Sequence, residues 1–293
     1  MHTYPPDTTR RQLIFTADDF GLSKSVNEAI QMAHQDGILT CASLMVAAEG
    51  AEDAIRRARA TPTLAIGLHL VLSNGAPQSG PDEIPDLVDE DGQFSDQMVA
   101  AGFHYFLSRR ARQQIEHEIR AQFKAFEATG FILDHVNVHK HFHFHPTLLS
   151  LIIRVGEDYG MRALRLPIEP LALVLAMGQH VPVRSRLQPA LLWPLSRWMC
   201  SQMDRAHLDH NDYIVGLSAS GQMTADLVLS LLPHLPAGIG EIYFHPAREP
   251  DPGSRPLTTH GPYNIDLQSL LDRRIPAALE RLGIRRTTFH DAV

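Results

Sequence analysis

Five histidines stand within the twelve residues from Asp134 to His145, at positions 135, 139, 141, 143 and 145. Side chains alternate between faces along an extended chain, so these odd positions predict a row of imidazoles on one face, with Phe142 and Phe144 on the other. Imidazole is the commonest metal ligand and is neutral enough near pH 7 to coordinate. A catalytic metal takes about three protein ligands and keeps a position for water or substrate. Five histidines therefore exceed what one ion needs, and further ligands are expected from elsewhere in the chain, a carboxylate among them.

Other residues with chemical potential sit where short apolar runs end. Asp18 and Asp19 close Leu13–Ala17, His69 lies near the end of Leu64–Val71, His139 follows Ile132–Val138, and His245 closes Gly240–His245. Singly, each has a plain structural reading. Paired aspartates before a helix serve as caps, a histidine in an apolar strand is a hydrogen-bonded core residue, and His245-Pro246 ends a strand. Jointly they mark four strand ends, which is where parallel α/β architectures build active sites.

The elements that must position them alternate between strand and helix patterns. Strands are expected at Leu13–Ala17, Leu39–Val46, Leu64–Val71, Ile132–Val138, Ala163–Leu166, Gly240–His245 and Arg285–Phe289. Helices are expected from a capping box at Ser25 and Glu28 to Asp36, then over Ala51–Ala60, Ser108–Ala128, Pro146–Tyr159 and Leu267–Leu282. Residues Ser73–Gln93 read as a long excursion of the kind that loops make when they serve function. The alternation implies an α/β fold with a parallel sheet, open or closed into a barrel. With 44% hydrophobic residues in 293, one domain of barrel size is as reasonable as two.

A net charge of −7 without a basic run argues against nucleic acid as a partner. The two cysteines, Cys41 and Cys200, lack CxxC spacing, which fits a reducing compartment and argues against thiolate ligation. The opening residues carry no apolar signal segment and Leu171–Met177 is too short to span a bilayer, so a cytoplasmic location is expected.

Thr16-Ala-Asp-Asp-Phe-Gly21, Gly67-Leu-His69, Asp134-His-Val-Asn-Val-His-Lys-His-Phe-His143 and Phe244-His-Pro246 resemble, in order and spacing, the motifs of the YdjC-like (ChbG-like) carbohydrate deacetylases across residues 12–280. Asn137 stands where many members have Asp. Ala42–Ala48 and Leu164-Arg-Leu-Pro-Ile-Glu-Pro170 add a resemblance to the hopanoid-biosynthesis-associated branch, in which Asn is the expected residue there. The resemblance implies a distorted TIM-like (β/α) barrel in a single domain, with a core over about 12–290. It implies one divalent metal held by Asp19, His69 and His139, zinc first, with magnesium or another divalent ion as alternatives. Asp18 would be the general base and His245 the candidate acid. The branch implies an N-acetylglucosaminyl group on a hopanoid glycolipid as substrate.

The chemistry suits that assignment. Amide hydrolysis needs an activated water, a stabilised oxyanion and a proton for the departing amine. His141 and His143 are expected to line the pocket or orient ligands, His135 and His145 to be structural, and Arg165 to hold Asp18 ionised through a charged hydrogen bond. Another metal-dependent hydrolase or sugar isomerase on a similar barrel is the alternative enzyme, and a non-catalytic metal- or sugar-binding protein the alternative without chemistry. Residues 170–206 hold both tryptophans, Trp193 and Trp198, with Leu187, Leu191, Leu195, Met199 and Met203 recurring every four residues and Arg184, Arg186 and Arg197 beside them. Core packing is one reading of this stripe. A lid or docking patch giving peripheral contact with the inner membrane surface is the other. Pro194 argues against one straight helix here. A homodimer stays open.

Overall fold

The computed structural model describes residues 11–178, 188–248 and 264–292. Its strands are β1 Arg11–Phe20, β2 Cys41–Leu44, β3 Ala65–Leu70, β4 Val136–Val138, β5 Tyr213–Val215, β6 Gly238–Phe244 and β7 Ile284–Thr287. They form one sheet in the order β4-β3-β2-β1-β6-β5, and every ladder is parallel. With β6 on one edge of β1, the opposite edge is shared in succession: β7 pairs with Arg11–Ile14 and β2 takes over from Thr16. Every residue of β1 from Leu13 to Phe20 is buried, as a strand covered on both faces must be.

The sheet curls into a distorted barrel. Leu164 bridges Val136 and Ala163 bridges Asp209, both in parallel sense, and Ile214 N donates to Ile168 O at 2.8 Å. Residues 163–168 thus join the outer strands β4 and β5. The strand expected over Ala163–Leu166 is reduced to these single bridges. Pro167 and Pro170 follow it, and proline has no N–H to extend a ladder.

Outside the sheet lie α1 Lys24–Gln35, α2 Ala51–Ala60, α3 Met98–Leu107, α4 Arg109–Ala128, α5 Pro146–Asp158, α6 Leu171–Ala176, α7 Gln188–Arg205, α8 Ala225–Leu231, α9 Asn264–Leu270, α10 Arg274–Arg281 and α11 Phe289–Ala292. Helix α1 starts at Ser23, whose Oγ accepts from Val26 N at 3.3 Å. The cap is therefore two residues earlier than the expected box at Ser25, which is buried inside the first turn. The single helix expected over Leu267–Leu282 is broken between α9 and α10, where the Asp272 carboxylate accepts from Arg274 N at 2.8 Å. Helix α4 turns Ile115, Ile119, Phe123 and Phe126 inward, the 3–4 spacing of a core stripe.

Helix α4 also anchors the long excursion. The buried Glu118 carboxylate accepts from Gln78 N and Ser79 N at 2.7 and 2.8 Å. Gln114 accepts from Asp86 N at 2.9 Å, and Gln122 brackets both backbone groups of Val71. Buried polar side chains need such partners. Here they fasten an irregular segment as a wall of the site.

Candidate metal centre and active site

The ladder between β1 and β2 loses register between Ala17 and Phe20, and Asp19 adopts a positive φ of 63°. Irregularities of this kind re-aim neighbouring side chains. Asp18 turns onto Arg165, while Asp19 turns toward β3 and the end of β4. There His69 Nε2 and His139 Nδ1 each lie 3.2 Å from Asp19 Oδ1 and 3.2 Å from one another. The three donor atoms form an equilateral triangle, and all three residues are buried.

This triangle fits a divalent cation. Bonds of about 2.0–2.1 Å at a tetrahedral angle separate two donors by roughly 3.3 Å. Among the described residues neither Asp19 oxygen has an aligned hydrogen-bond donor although both are buried, an arrangement that costs free energy unless a cation is bound. Asn137 Oδ1 can only accept, so His69 Nδ1, 2.6 Å away, donates to it and turns the Nε2 lone pair toward Asp19. Ligating histidines are commonly oriented in this way.

Asp18 lies beside this centre with both oxygens engaged. Arg165 donates from Nη1 to Oδ2 at 2.6 Å and from Nη2 to Oδ1 at 2.9 Å. Oδ1 also accepts from Ser43 Oγ at 3.1 Å and Asn137 Nδ2 at 2.8 Å. Burial, the largest single influence, would raise the Asp18 pKa, but the Arg165 charge and hydrogen bonds together with the charges of His69 and His245 outweigh it and hold the carboxyl well below its usual range. Arg165 is itself buried, pairs with Glu241 at 2.7 Å and lies under the Tyr243 ring at 5.0 Å. One guanidinium thus faces two carboxylates inside the barrel.

The histidine run does not form an extended row. Residues His139–Phe144 make a 3-10 turn in which Lys140 and His141 both have φ of 54°, so the expected alternation fails after His139. His139 reaches the metal centre. His141 faces the cleft and meets Tyr243 OH at 3.3 Å. His143 is fully buried behind the cleft and bonds the Arg165 carbonyl at 3.0 Å, and burial pushes its pKa down to about 4. His135 lies beneath the site between Asp134 (2.8 Å) and Ser43 (3.0 Å) and stacks on Phe289. His145 is packed at α3, edge-on to Phe106.

His245 follows β6 at the cleft wall, with Nδ1 3.4 Å from Ser220 Oγ. The cleft, of about 1190 Å³, is lined by Asp18, Asp19, His69, His139, His141 and His245 together with Leu192 and Phe94. Apart from Leu192, which α7 contributes, these positions lie at C-terminal strand ends or the loops beyond them. Sequence reading missed Ser43, Glu241 and Tyr243. Glu241 carried a usable signal, since an acid inside the apolar run Gly-Glu-Ile-Tyr-Phe demands a buried partner.

Helix α7 is continuous through Pro194, so that proline does not end the helix. Its apolar stripe is divided. Met199 and Met203 are in the core and Trp198 packs against it, whereas Leu191 and Trp193 are 78% and 60% exposed. Leu187, Arg184 and Arg186 lie outside the described residues. Among the described residues, no helix is long and apolar enough to cross a membrane.

Residues 12–281 match the family of YdjC-like proteins. The chain is 41% identical over 151 residues to a carbohydrate deacetylase of Brevibacillus brevis, covering 50% of this chain and 56% of the relative. It is 38% identical over 160 residues to a carbohydrate deacetylase of Geobacillus stearothermophilus, covering 55% and 60%. The matched stretch thus spans little more than half the length of these curated relatives. A carbohydrate deacetylase of Thermoanaerobacter pseudethanolicus aligns at 27% identity over 90% of this chain and 92% of its own. Among solved structures, a candidate cellobiose-phosphate cleavage protein of Enterococcus faecalis superposes with a TM-score of 0.74 at 22% identity, covering 96% and 98% of the two chains. That likeness extends to the fold.

Proposed function

The chain belongs to the YdjC-like protein family, and from that premise we propose that it is a metal-dependent carbohydrate deacetylase acting on the N-acetyl group of an amino sugar. The observation that carries this reading is the buried triangle of Asp19, His69 and His139 with an ionised Asp18 beside it. A divalent ion held by these three, zinc first by its preference for mixed nitrogen and oxygen donors, would supply an acidified water and polarise the acetyl carbonyl.

The remaining chemistry is assigned to the chain's own groups. Asp18 accepts the proton of the attacking water at Oδ2, the oxygen whose one partner among the described residues is Arg165, while Oδ1 is saturated by three donors. Water oxygen adds to the carbonyl carbon. The C–N bond then breaks, and His245 protonates the departing nitrogen, since an amine leaves poorly as an anion. The products are acetate and the free amino sugar. Tyr243 and His141 line the cleft where the sugar would lie.

We further propose that the sugar is an N-acetylglucosaminyl group on a hopanoid-type glycolipid. Leu192 enters the cleft while its neighbours Leu191 and Trp193 face solvent, which suits an apolar aglycone or a membrane surface at the cleft mouth. The test is mass-spectrometric detection of acetyl loss from a panel of N-acetylglucosaminyl substrates with zinc supplied or chelated. Turnover of a phosphoester or isomerisation of a free sugar, without acetate release, would replace this reading.

A further inference from the structure

Cys200 and Asp204 stand four residues apart on α7 and so share a face. The chain after the helix folds back on them. Leu208 N bonds Met203 O at 3.0 Å and Asp209 N bonds Arg162 O at 2.8 Å, which brings His210 against the pair. Cys200 Sγ is 3.6 Å from Asp204 Oδ2 and 3.8 Å from His210 Nε2, and His210 Nε2 is 3.2 Å from Asp204 Oδ1.

The proton arrangement is informative. His210 Nδ1 lies 3.0 Å from the Asn211 carbonyl, which can only accept, so Nδ1 carries a hydrogen. Nε2 then turns toward the thiol and the carboxylate, in the orientation that backbone carbonyls impose on ligating histidines. In neutral His210 the Nε2 lone pair and a carboxylate oxygen at this distance repel unless a proton or a metal cation lies between them, and a third donor atom, sulfur, points at the same place. Bonds of about 2.3 Å to sulfur and about 2.0–2.1 Å to nitrogen or oxygen at a tetrahedral angle separate donors by roughly 3.3–3.6 Å. The observed spacings of 3.2–3.8 Å bracket those values, with the carboxylate presenting Oδ2 to the sulfur and Oδ1 to the imidazole.

We propose that Cys200, Asp204 and His210 form a second metal site, for a borderline-soft divalent ion of the zinc class. It clamps the end of α7 to the chain entering β5. Missing CxxC spacing argued against thiolate ligation in the sequence, but a helix supplies the same convergence at a spacing of four. The Asp204 side chain is 63% exposed, so solvent can complete the coordination. The clamp fixes the helix that carries Leu192 into the cleft.

The site can be read separately from the catalytic one, because Asp19, His69 and His139 offer no sulfur. Metal-free protein titrated with Co(II) alone should bind two equivalents and develop the near-ultraviolet thiolate-to-cobalt charge-transfer absorption. Cys200→Ser and Asp204→Asn should each lose one equivalent, and Cys200→Ser should lose the absorption entirely. Both positions are half-buried or exposed, and matching far-ultraviolet circular dichroism would verify folding. Asp19→Ala should keep the absorption while losing the other equivalent. Absence of the absorption in the wild type, its survival in Cys200→Ser, or its loss in Cys41→Ser instead would overturn the proposal.

Discussion

The Asn137 side chain accepts from His69 Nδ1 at 2.6 Å through Oδ1 and donates to Asp18 Oδ1 at 2.8 Å through Nδ2. One amide thereby sets the tautomer of a proposed metal ligand and the direction of the proposed base. Its second amide hydrogen reaches Ser43 Oγ at 2.7 Å, so the side chain cannot flip without losing all three bonds. Asn137→Ala should lower metal affinity and kcat together, each by about 10–100-fold, the usual cost of losing a partner behind a ligand. Competition with a chromophoric chelator and steady-state kinetics measure the two. Unchanged metal affinity would separate Asn137 from the ligand.

Adjacent aspartates predict opposite phenotypes. Asp19→Ala, His69→Ala and His139→Ala should each lose most of the metal at the buried triangle. Asp18→Asn should retain that metal yet lose roughly 10²–10⁴-fold in kcat, the contribution expected of general base catalysis. Metal analysis paired with acetate release distinguishes the two groups. Near-normal kcat in Asp18→Asn with metal bound would refute the base assignment.

Much of this site was legible because strand ends are marked by simple signals. An apolar run followed by Asp18-Asp19, and another holding His69, place those side chains once a parallel sheet is assumed. The Asp18–Arg165 pair was also anticipated. The 3-10 turn at His139–Phe144 was not, because period-two alternation presumes extended backbone, and nothing in Lys140 or His141 announces a positive φ. Three-residue β5 was equally hidden, since its place depends on partners 27 residues later in β6. Nor does helical periodicity announce that Glu118, Gln114 and Gln122 are buried, since what covers them is the excursion folding over α4.

Arg165 should be essential for folding as well as for chemistry. Removing a buried partner leaves the others uncompensated, at a cost of about 3–5 kcal/mol. Arg165→Met would strand Asp18 and Glu241 together, and chemical denaturation should show the loss. Arg165→Lys should rescue only part of it, because a point charge cannot satisfy the forked contacts to both carboxylates.

Asp134 sets an acid limit on stability. Burial alone would raise its pKa, but the His135 bond and charge and the His290 backbone N–H hold the folded value below the ordinary one. A depressed acid stabilises the fold above its unfolded pKa, about 3.9, and that contribution disappears as pH falls through the folded value. The stability difference between wild type and Asp134→Asn should therefore be constant near neutrality and shrink below about pH 4. Urea denaturation at stepped pH measures it. A difference that grew on acidification would contradict the sign.

The two tryptophans should now behave differently. Trp198 packs on the core, whereas Trp193 is 60% exposed next to Leu192 of the cleft wall. Aromatic side chains with an apolar body favour the boundary between lipid and water. Trp193→Ser should weaken liposome binding and turnover of a hopanoid-type glycolipid while sparing a short water-soluble N-acetylglucosaminyl substrate. Trp198→Ser should instead lower Tm and reduce turnover of both substrates alike, as loss of buried contacts does. Melting curves, liposome sedimentation and paired kinetics separate these outcomes. If Trp193→Ser left glycolipid turnover and liposome binding unchanged, the exposed end of α7 would have no part in docking.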